Sequence, residues 1–159
     1  MVKYRRLSKE ELLELEKEFV DFLCSNTITA DDWVKLKKQD QEKAEELIDI
    51  FSDVVMEKVL SKITYLEHRS AQSLLLFKCL EKEIHLISLT INNTAIDLTK
   101  AEDVKLLAEG ELQAKDVNVT RVTKAYQESR EREVFEMTNS NCLVSDGSLY
   151  YLLDQSFHD

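Results

Sequence analysis

The stretch from Asp40 to Ile63 constrains the fold most, because a single helical period accounts for nearly every residue in it. Its apolar residues recur at steps of three and four and can be buried together: Ala44, Ile48, Phe51, Val55 and Val59, with Leu47, Val54 and Ile63 beside them. Its opposite face is acidic: Glu42, Glu45, Glu46, Asp49, Asp53 and Glu57. Asp40 can accept a backbone N–H at the start, so the pattern predicts a long core helix.

The rest of the N-terminal half is also predicted to be helical. Ser8 and Glu11 form a capping box ahead of an apolar stripe that continues to about Cys24. Thr29 begins a second helix, whose acidic first turn and basic last turn suit the helix dipole. In that helix we expect Trp33 to anchor the core, with a binding aromatic as the alternative.

Strands are predicted after residue 62, where β-branched and aromatic residues become frequent. The segments 63–70, 73–80 and 84–92 are typical of strands, and the three-residue link between the last two suits a hairpin. A fourth alternating segment, 117–126, carries Arg121 and Lys124, which indicates an edge strand. Short helices are predicted over 100–109 and 129–138 and after Ser145 or Asp146, with a brief strand over 142–144.

These elements predict an α+β fold: an N-terminal helical half of three helices packed on a small antiparallel sheet, with further short helices at the C-terminal end. The 159 residues, 43% of them hydrophobic, are enough for one domain that buries about 70% of its unfolded surface. With 2 Gly and no Pro, the chain has no linker-like segment. We therefore expect a single domain, helical over 1–62 and strand-rich over 63–159.

The distribution of charge excludes some partners. The chain carries a net charge of −10, and its basic residues near the start, Lys3, Arg5 and Arg6, are too few for a phosphate-binding groove. We expect no binding to nucleic acid and a basic protein surface as the partner. The acidic stripe of Asp49, Asp53 and Glu57 is expected to be open, either as a solvated face or as a docking stripe for that partner. Pairing inside the chain with Arg121 or Lys124 is the outcome that would contradict an open stripe.

The cellular setting follows from apolar runs and cysteines. No run approaches the roughly 20 apolar residues that cross a bilayer, and the first residues turn acidic where a signal peptide needs an apolar region. We expect no membrane partner and a cytoplasmic location. Cys24, Cys79 and Cys142 are odd in number and lie among apolar neighbours, which predicts buried thiols and no disulfide.

Few residues point to catalysis. His68, His85 and His158 lack metal-ligand spacing and the glycines stand alone, so we expect no metal and no cofactor. Cys79 with His85 across the hairpin is the one thiol and base pair that the pattern allows, against the simpler interpretation of a buried thiol.

The densest polar group in an apolar segment is Glu67, His68 and Arg69, near the end of the first strand. Glu67 and Arg69 should project to one side and His68 to the other. The pair could grip a charge on a substrate or partner. Alternatively Glu67 and Arg69 pair across strands, and His68 ends the strand at the surface.

Four motifs carry a family resemblance: Tyr4-Arg5-Arg6-Leu7, Ile28-Thr29-Ala30-Asp31-Asp32-Trp33, Phe51-Ser52-Asp53-Val54-Val55 and Tyr65-Leu66-Glu67-His68-Arg69-Ser70. In this order they resemble a family of small Bacteroidetes proteins classed as a domain of unknown function, over roughly the first 90 residues. The resemblance implies a bacterial cytoplasmic origin and carries no activity or site residues.

Three functions remain open from the sequence. The first is a non-catalytic interaction or regulatory protein whose acidic helical half meets a basic surface. The second is a small enzyme that uses the region of Glu67, His68 and Arg69. The third is an acidic mimic of nucleic acid that blocks the basic groove of another protein.

Overall fold

A computed structural model describes residues 1–111 and 114–157 of the chain. The chain divides into two compact units, Met1–Val59 and Leu60–Asp159. The first is helical, and the second contains all the described strands. Within the described residues, seven α-helices and an antiparallel sheet confirm the predicted α+β class. The expectation that the chain folds as a single domain stays a prediction.

Four helices account for the first unit: α1 (Lys9–Glu14), α2 (Glu16–Ser25), α3 (Ala30–Gln39) and α4 (Gln41–Ser61), of which α4 continues into the second unit. Both predicted caps are present, because Ser8 and Thr29 each form a capping box with the third helical residue. The predicted first helix is two helices. Leu15 interrupts it with a backbone at φ −102° and ψ 24°, outside the α-helical region.

Aromatic side chains form the centre of the first unit. The Phe19 ring lies 5.0 Å from that of Phe51 and 5.1 Å from that of Trp33, and both pairs meet edge to face. Phe22 lies 5.4 Å from Phe51. Offset and edge-to-face rings attract each other beyond the apolar area they bury, so α2, α3 and α4 are joined by this cluster.

The sheet of the second unit has five antiparallel strands in the order β4-β3-β2-β1-β5. They are β1 (Tyr65–Ser70), β2 (Ser73–Cys79), β3 (Glu83–Ile91), β4 (Val117–Ala125) and β5 (Leu143–Ser145). The predicted hairpin of β2 and β3 is confirmed, and so is the edge position of β4. The predicted strand at 142–144 is the other edge, shifted by one residue.

Three helices follow the β-hairpins: α5 (Ala101–Ala108), α6 (Arg130–Asn139) and α7 (Ser148–Ser156), together with a short 3₁₀ turn over Ala114–Asp116. One face of the sheet packs with α5 and α7 around buried apolar side chains: Leu74, Leu76, Ile87, Leu89, Val104, Leu107, Tyr150 and Leu153. Strand alternation puts Leu76 and Ile87 opposite each other on this face, as burial of one sheet face requires.

Candidate functional site

The first residues of the chain bind the acidic stripe of Asp49, Asp53 and Glu57. Arg6 Nε donates to Asp49 Oδ1 at 2.6 Å, and the Lys3 backbone N–H lies 2.8 Å from Asp53 Oδ1. The Lys3 ammonium donates to Glu57 Oε1 at 2.8 Å. The expectation of an open acidic face is therefore wrong for Asp49, which is buried, whereas Asp53 and Glu57 have partners within the chain but remain partly exposed.

This N-terminal segment, residues 1–7, is anchored by a buried residue. Leu7 is buried, and its backbone N–H donates to Ser52 Oγ at 3.0 Å. Ser52 is fully buried, and its hydroxyl in turn donates to the Ile48 carbonyl at 2.7 Å. Because both the apolar anchor and the hydrogen bonds fall on one face of α4, the segment lies along that helix.

Pairing with the N-terminal segment changes the ionisation of the stripe. The hydrogen bond from Arg6 lowers the pKa of Asp49, and the hydrogen bond from Lys3 lowers the pKa of Glu57. Arg121 and Lys124, considered from sequence as internal partners of the stripe, pair elsewhere in the second unit. Arg121 binds Asp154, and Lys124 lies 3.1 Å from Glu133.

Glu67 and Arg69 bind each other within β1. Arg69 donates from Nε and from a terminal nitrogen to Glu67 Oε1, at 3.0 and 2.7 Å. Glu67 is buried, whereas the Arg69 side chain is 29% exposed. His68 is half-buried and pairs in register with Leu75 on β2. Glu67 and Arg69 were expected to pair across strands, but they pair within β1, two residues apart. The charge of each residue is therefore offset by the other.

Cys79 and His85 do not form a catalytic pair. Cys79 is buried opposite Ile84, and burial raises the pKa of its thiol to about 11, which disfavours the nucleophilic thiolate. His85 Nε2 lies 2.8 Å from Glu83 Oε1. All three cysteines are free, but the expectation of buried thiols holds for Cys79 alone, since Cys24 is exposed.

No cluster of possible metal ligands is found in residues 1–111 and 114–157. His158, one of the three histidines considered from sequence, lies outside the described residues.

An apolar groove lies among α1, α2 and α3 in the first unit. It encloses a cavity of about 520 Å³, within the range of ligand-binding clefts. Its apolar wall includes Leu12, Phe19, Leu23, Ile28, Trp33 and Ile48. We call it the α1–α3 groove. Trp33, expected as a core anchor, is half-buried and lines this groove while it contacts Phe19.

The rim of the α1–α3 groove exposes one aliphatic side chain from each of its three helices. Leu13 of α1 is 72% exposed, Val20 of α2 is 41% exposed and Val34 of α3 is 46% exposed. Single exposed aliphatic residues are ordinary, but here three of them line one apolar cavity.

Charged residues of the groove are few. Lys9, Glu16 and Lys37 line it, and the Lys37 ammonium lies 5.8 Å from the centre of the Trp33 ring. Two cations against one carboxylate make this groove locally basic in a chain whose net charge is −10.

The sequence did not predict this groove, because only the apolar residues expected to face the core were used to place the helices. Leu13 and Val20 fall beside the predicted stripe of the first helix, and Val34 follows Trp33 directly. The available signal was a set of large apolar residues off the core face of three neighbouring helices.

One family model matches residues 1–158 of the chain, and its description is a family of unknown function, DUF6495. The match extends well past the first 90 residues, which carried the resemblance seen in the sequence. No curated protein and no solved structure matches the chain. None of the described helices is long and apolar enough to cross a membrane.

Proposed function

We propose that this chain, which belongs to the DUF6495 family of unknown function, is a non-catalytic protein that binds an amphipathic helix of a partner protein in the α1–α3 groove. One observation carries the proposal: Leu13, Val20 and Val34 are exposed on three helices around a single apolar cavity. An amphipathic helix presents apolar residues at steps of three, four and seven, which fit a groove between helices.

The exposed rim favours a protein partner over a small molecule. A small molecule is largely enclosed by its pocket, which would leave the outward parts of Leu13, Val20 and Val34 in water. A helix laid on the groove covers the rim as well as the cavity. Covering apolar surface stabilises a complex by roughly 25 cal/mol per Å² removed from water, before the costs of association are subtracted.

The charge of the groove specifies the partner further. Lys9 and Lys37 stand on the apolar wall, so a partner helix that carries Glu or Asp beside its apolar face is complementary. This differs from the basic protein surface expected from sequence, because the N-terminal segment already binds the carboxylates that would have met it.

Selection from a displayed library of 15-residue helical peptides with mixed charge tests the proposal. We expect the bound peptides to share apolar residues at helical spacing and to be enriched in Glu and Asp. A synthetic copy of the best peptide should bind the intact protein, and Val34→Glu should weaken it at least about tenfold, since an unpaired carboxylate against apolar side chains is costly.

A matched control is Val122→Glu, because Val122 is 45% exposed in the second unit and lies outside the groove. This substitution should leave peptide binding unchanged. Lys37→Glu should shift the selected peptides toward basic residues. Recovery of no peptide, or equal effects of Val34→Glu and Val122→Glu, would reject the groove as the binding site.

A second candidate function is the binding of a basic partner protein on the acidic stripe of α4. The contacts of the N-terminal segment with that stripe favour this function. Lys3 and Arg6 show that the stripe on α4 can hold a basic segment through close hydrogen-bonded ion pairs. A partner segment with the same chemistry would compete for Asp49, Asp53 and Glu57. In this function the protein is a regulatory acidic protein whose own first residues occupy its binding face.

Competition between peptide and N-terminal segment tests this second function. A labelled peptide with the sequence of residues 2–8 should bind a variant in which Lys3 and Arg6 are both alanine, and should bind the unaltered chain far more weakly. Adding Asp49→Asn to that variant should weaken the peptide again. Equal binding to all three proteins would remove the α4 stripe as a site.

Either function fits a protein of the bacterial cytoplasm, a compartment that keeps thiols reduced, and the free cysteines support this part of the proposal. No observation favours the enzyme considered from sequence, because Glu67 and Arg69 offset each other. The nucleic-acid mimic requires an open acidic stripe, and the pairing of Asp49 with Arg6 and of Glu57 with Lys3 argues against it.

A further inference from the structure

We infer that a polar pocket in the second unit, between strands β2, β3 and β4 and helix α7, binds the phosphoryl group of a small molecule. The pocket encloses about 160 Å³ and is lined by Lys78, His85, Arg121, Thr123 and Asp154, among others. It is independent of the α1–α3 groove, so this inference and the proposed function can fail separately.

Strand register brings the polar groups together. Lys78 on β2 is paired directly with His85 on β3, and His85 is paired with Thr123 on β4. Directly paired residues on neighbouring strands project to the same face with Cβ atoms about 5 Å apart. An ammonium, an imidazole and a hydroxyl therefore form one row across three strands. This arrangement supplies several hydrogen-bond donors over a short distance.

Hydrogen bonds within the pocket decide which of these donors a ligand can use. Arg121 already binds the end of α7. It pairs with the Asp154 carboxylate and donates to the main-chain oxygens of Asp154 and Phe157, at 3.0 and 2.8 Å. His85 Nε2 lies 2.8 Å from the Glu83 carboxylate, which can only accept, so Nε2 is the donor of this hydrogen bond. Arg121 and His85 therefore order the walls of the pocket, whereas Lys78 and Thr123 can contact a ligand.

Lys78 is the cation that an anion would meet. Its ammonium lies 5.9 Å from the centre of the Tyr65 ring, and no carboxylate of the described residues lies within ion-pair distance of it. Asp154 is paired with Arg121, and Glu83 is hydrogen-bonded to His85 and does not line the pocket. The positive charge of Lys78 is therefore available to an anionic ligand.

The chemistry of the row favours a phosphoryl group. A phosphoryl group offers three acceptor oxygens and up to two negative charges, and lysine binds it as a point charge while the Thr123 hydroxyl can donate to another of its oxygens. A monocarboxylate has fewer acceptors and less charge. The cavity is small, so it suits the phosphoryl group itself, with the rest of the molecule outside.

Titration of the full chain with inorganic phosphate, followed by the amide resonances of β3 and β4, tests the inference. Ionic strength is held constant with chloride, because screening alone alters the resonances of charged surfaces. We expect saturable shifts at the pocket residues of both strands. Lys78→Gln and Thr123→Val should each weaken the phosphate, the first by at least about tenfold, as loss of a charged hydrogen-bond partner does.

Two controls distinguish a built site from general attraction of anions. Lys100→Gln removes the same charge from an exposed residue at the start of α5, outside the pocket, and should leave phosphate binding unchanged. Acetate at the same ionic strength should cause clearly smaller shifts. Shifts that do not saturate, equal responses to acetate, or equal losses from Lys78→Gln and Lys100→Gln would overturn the inference. Preserved melting temperatures of the variants show that their folds are intact.

Discussion

Arg6 binds Asp49 across 43 residues of sequence, with Nε and Oδ1 only 2.6 Å apart, and the Asp49 side chain is 12% exposed. Through this pair and the contacts of Lys3, a basic N-terminal segment pairs cations with Asp49 and Glu57 and donates backbone N–H groups to Asp53, on a stripe of carboxylates spaced four residues apart on α4. Like charges at that spacing repel each other on an isolated helix. The N-terminal segment therefore reduces a repulsion that the sequence of α4 contains.

Reversal of the charge at Asp49 should destabilise the protein. Asp49→Lys places a cation beside Arg6 and removes the acceptor of its hydrogen bond, which we expect to cost about 1 to 3 kcal/mol of unfolding free energy. Thermal denaturation at low salt measures the effect. Glu46→Lys is the matched control, because Glu46 is exposed on the same helix, and should change stability by no more than about 0.5 kcal/mol. A stabilised Asp49→Lys variant would indicate an open stripe.

The contribution of this pair to stability should depend on pH. Arg6 lowers the pKa of Asp49 in the folded chain, so its stabilisation is present above the unfolded pKa and is lost as pH falls through the folded pKa. Arg6→Gln should therefore lower the melting temperature at pH 7. The difference from the unaltered protein should shrink below about pH 4, near the ordinary Asp value, and then disappear. A difference that stays constant down to pH 2.5 would exclude Asp49 as the partner.

The three thiols should react at different rates in the native protein. Cys24 is exposed and should be modified first, whereas Cys79 is buried with a pKa raised to about 11 and should react only on unfolding. Labelling of the native and denatured protein, with Cys24→Ser as the control, measures this. Fewer than three free thiols in fresh denatured protein would contradict the expectation that no disulfide forms.

Substitution of the two glycines should have unequal effects. Gly147 has a φ of +84°, and an added Cβ would lie 2.5 Å from the Tyr65 ring, so Gly147→Ala combines backbone strain with a steric clash. Gly110 has a φ of +73° in open space, so Gly110→Ala carries the backbone strain alone. We expect a loss of roughly 1 kcal/mol for Gly110→Ala and clearly more for Gly147→Ala. Equal losses, measured by chemical denaturation, would exclude the contact with Tyr65.

Local signals in the sequence predicted much of the fold. Ser8 and Thr29 begin helices through capping boxes, each of which involves residues only three apart. The charges of Arg121 and Lys124 correctly indicated an edge strand. Each of these features is decided by neighbours in the chain, and for that reason a single sequence reveals it.

Long-range pairing explains what the sequence did not reveal. Nothing in the periodicity of α4 indicates that residues 1–7 lie on its acidic face, because a stripe of carboxylates suits solvent equally well. The α1–α3 groove likewise depends on how three short helices meet. Leu13, Val20 and Val34 come to line one cavity only in three dimensions.

Trp33, the single tryptophan of the chain, lines the α1–α3 groove and therefore reports on the central proposal directly. The most direct measurement is a titration of the intact protein with the selected acidic amphipathic peptide, made without tryptophan and followed by Trp33 emission. We predict a saturable change in emission that is lost or shifted at least about tenfold in Val34→Glu and unchanged in Val122→Glu. Peptide binding that is detected by calorimetry but leaves Trp33 emission unaltered would contradict binding in the α1–α3 groove.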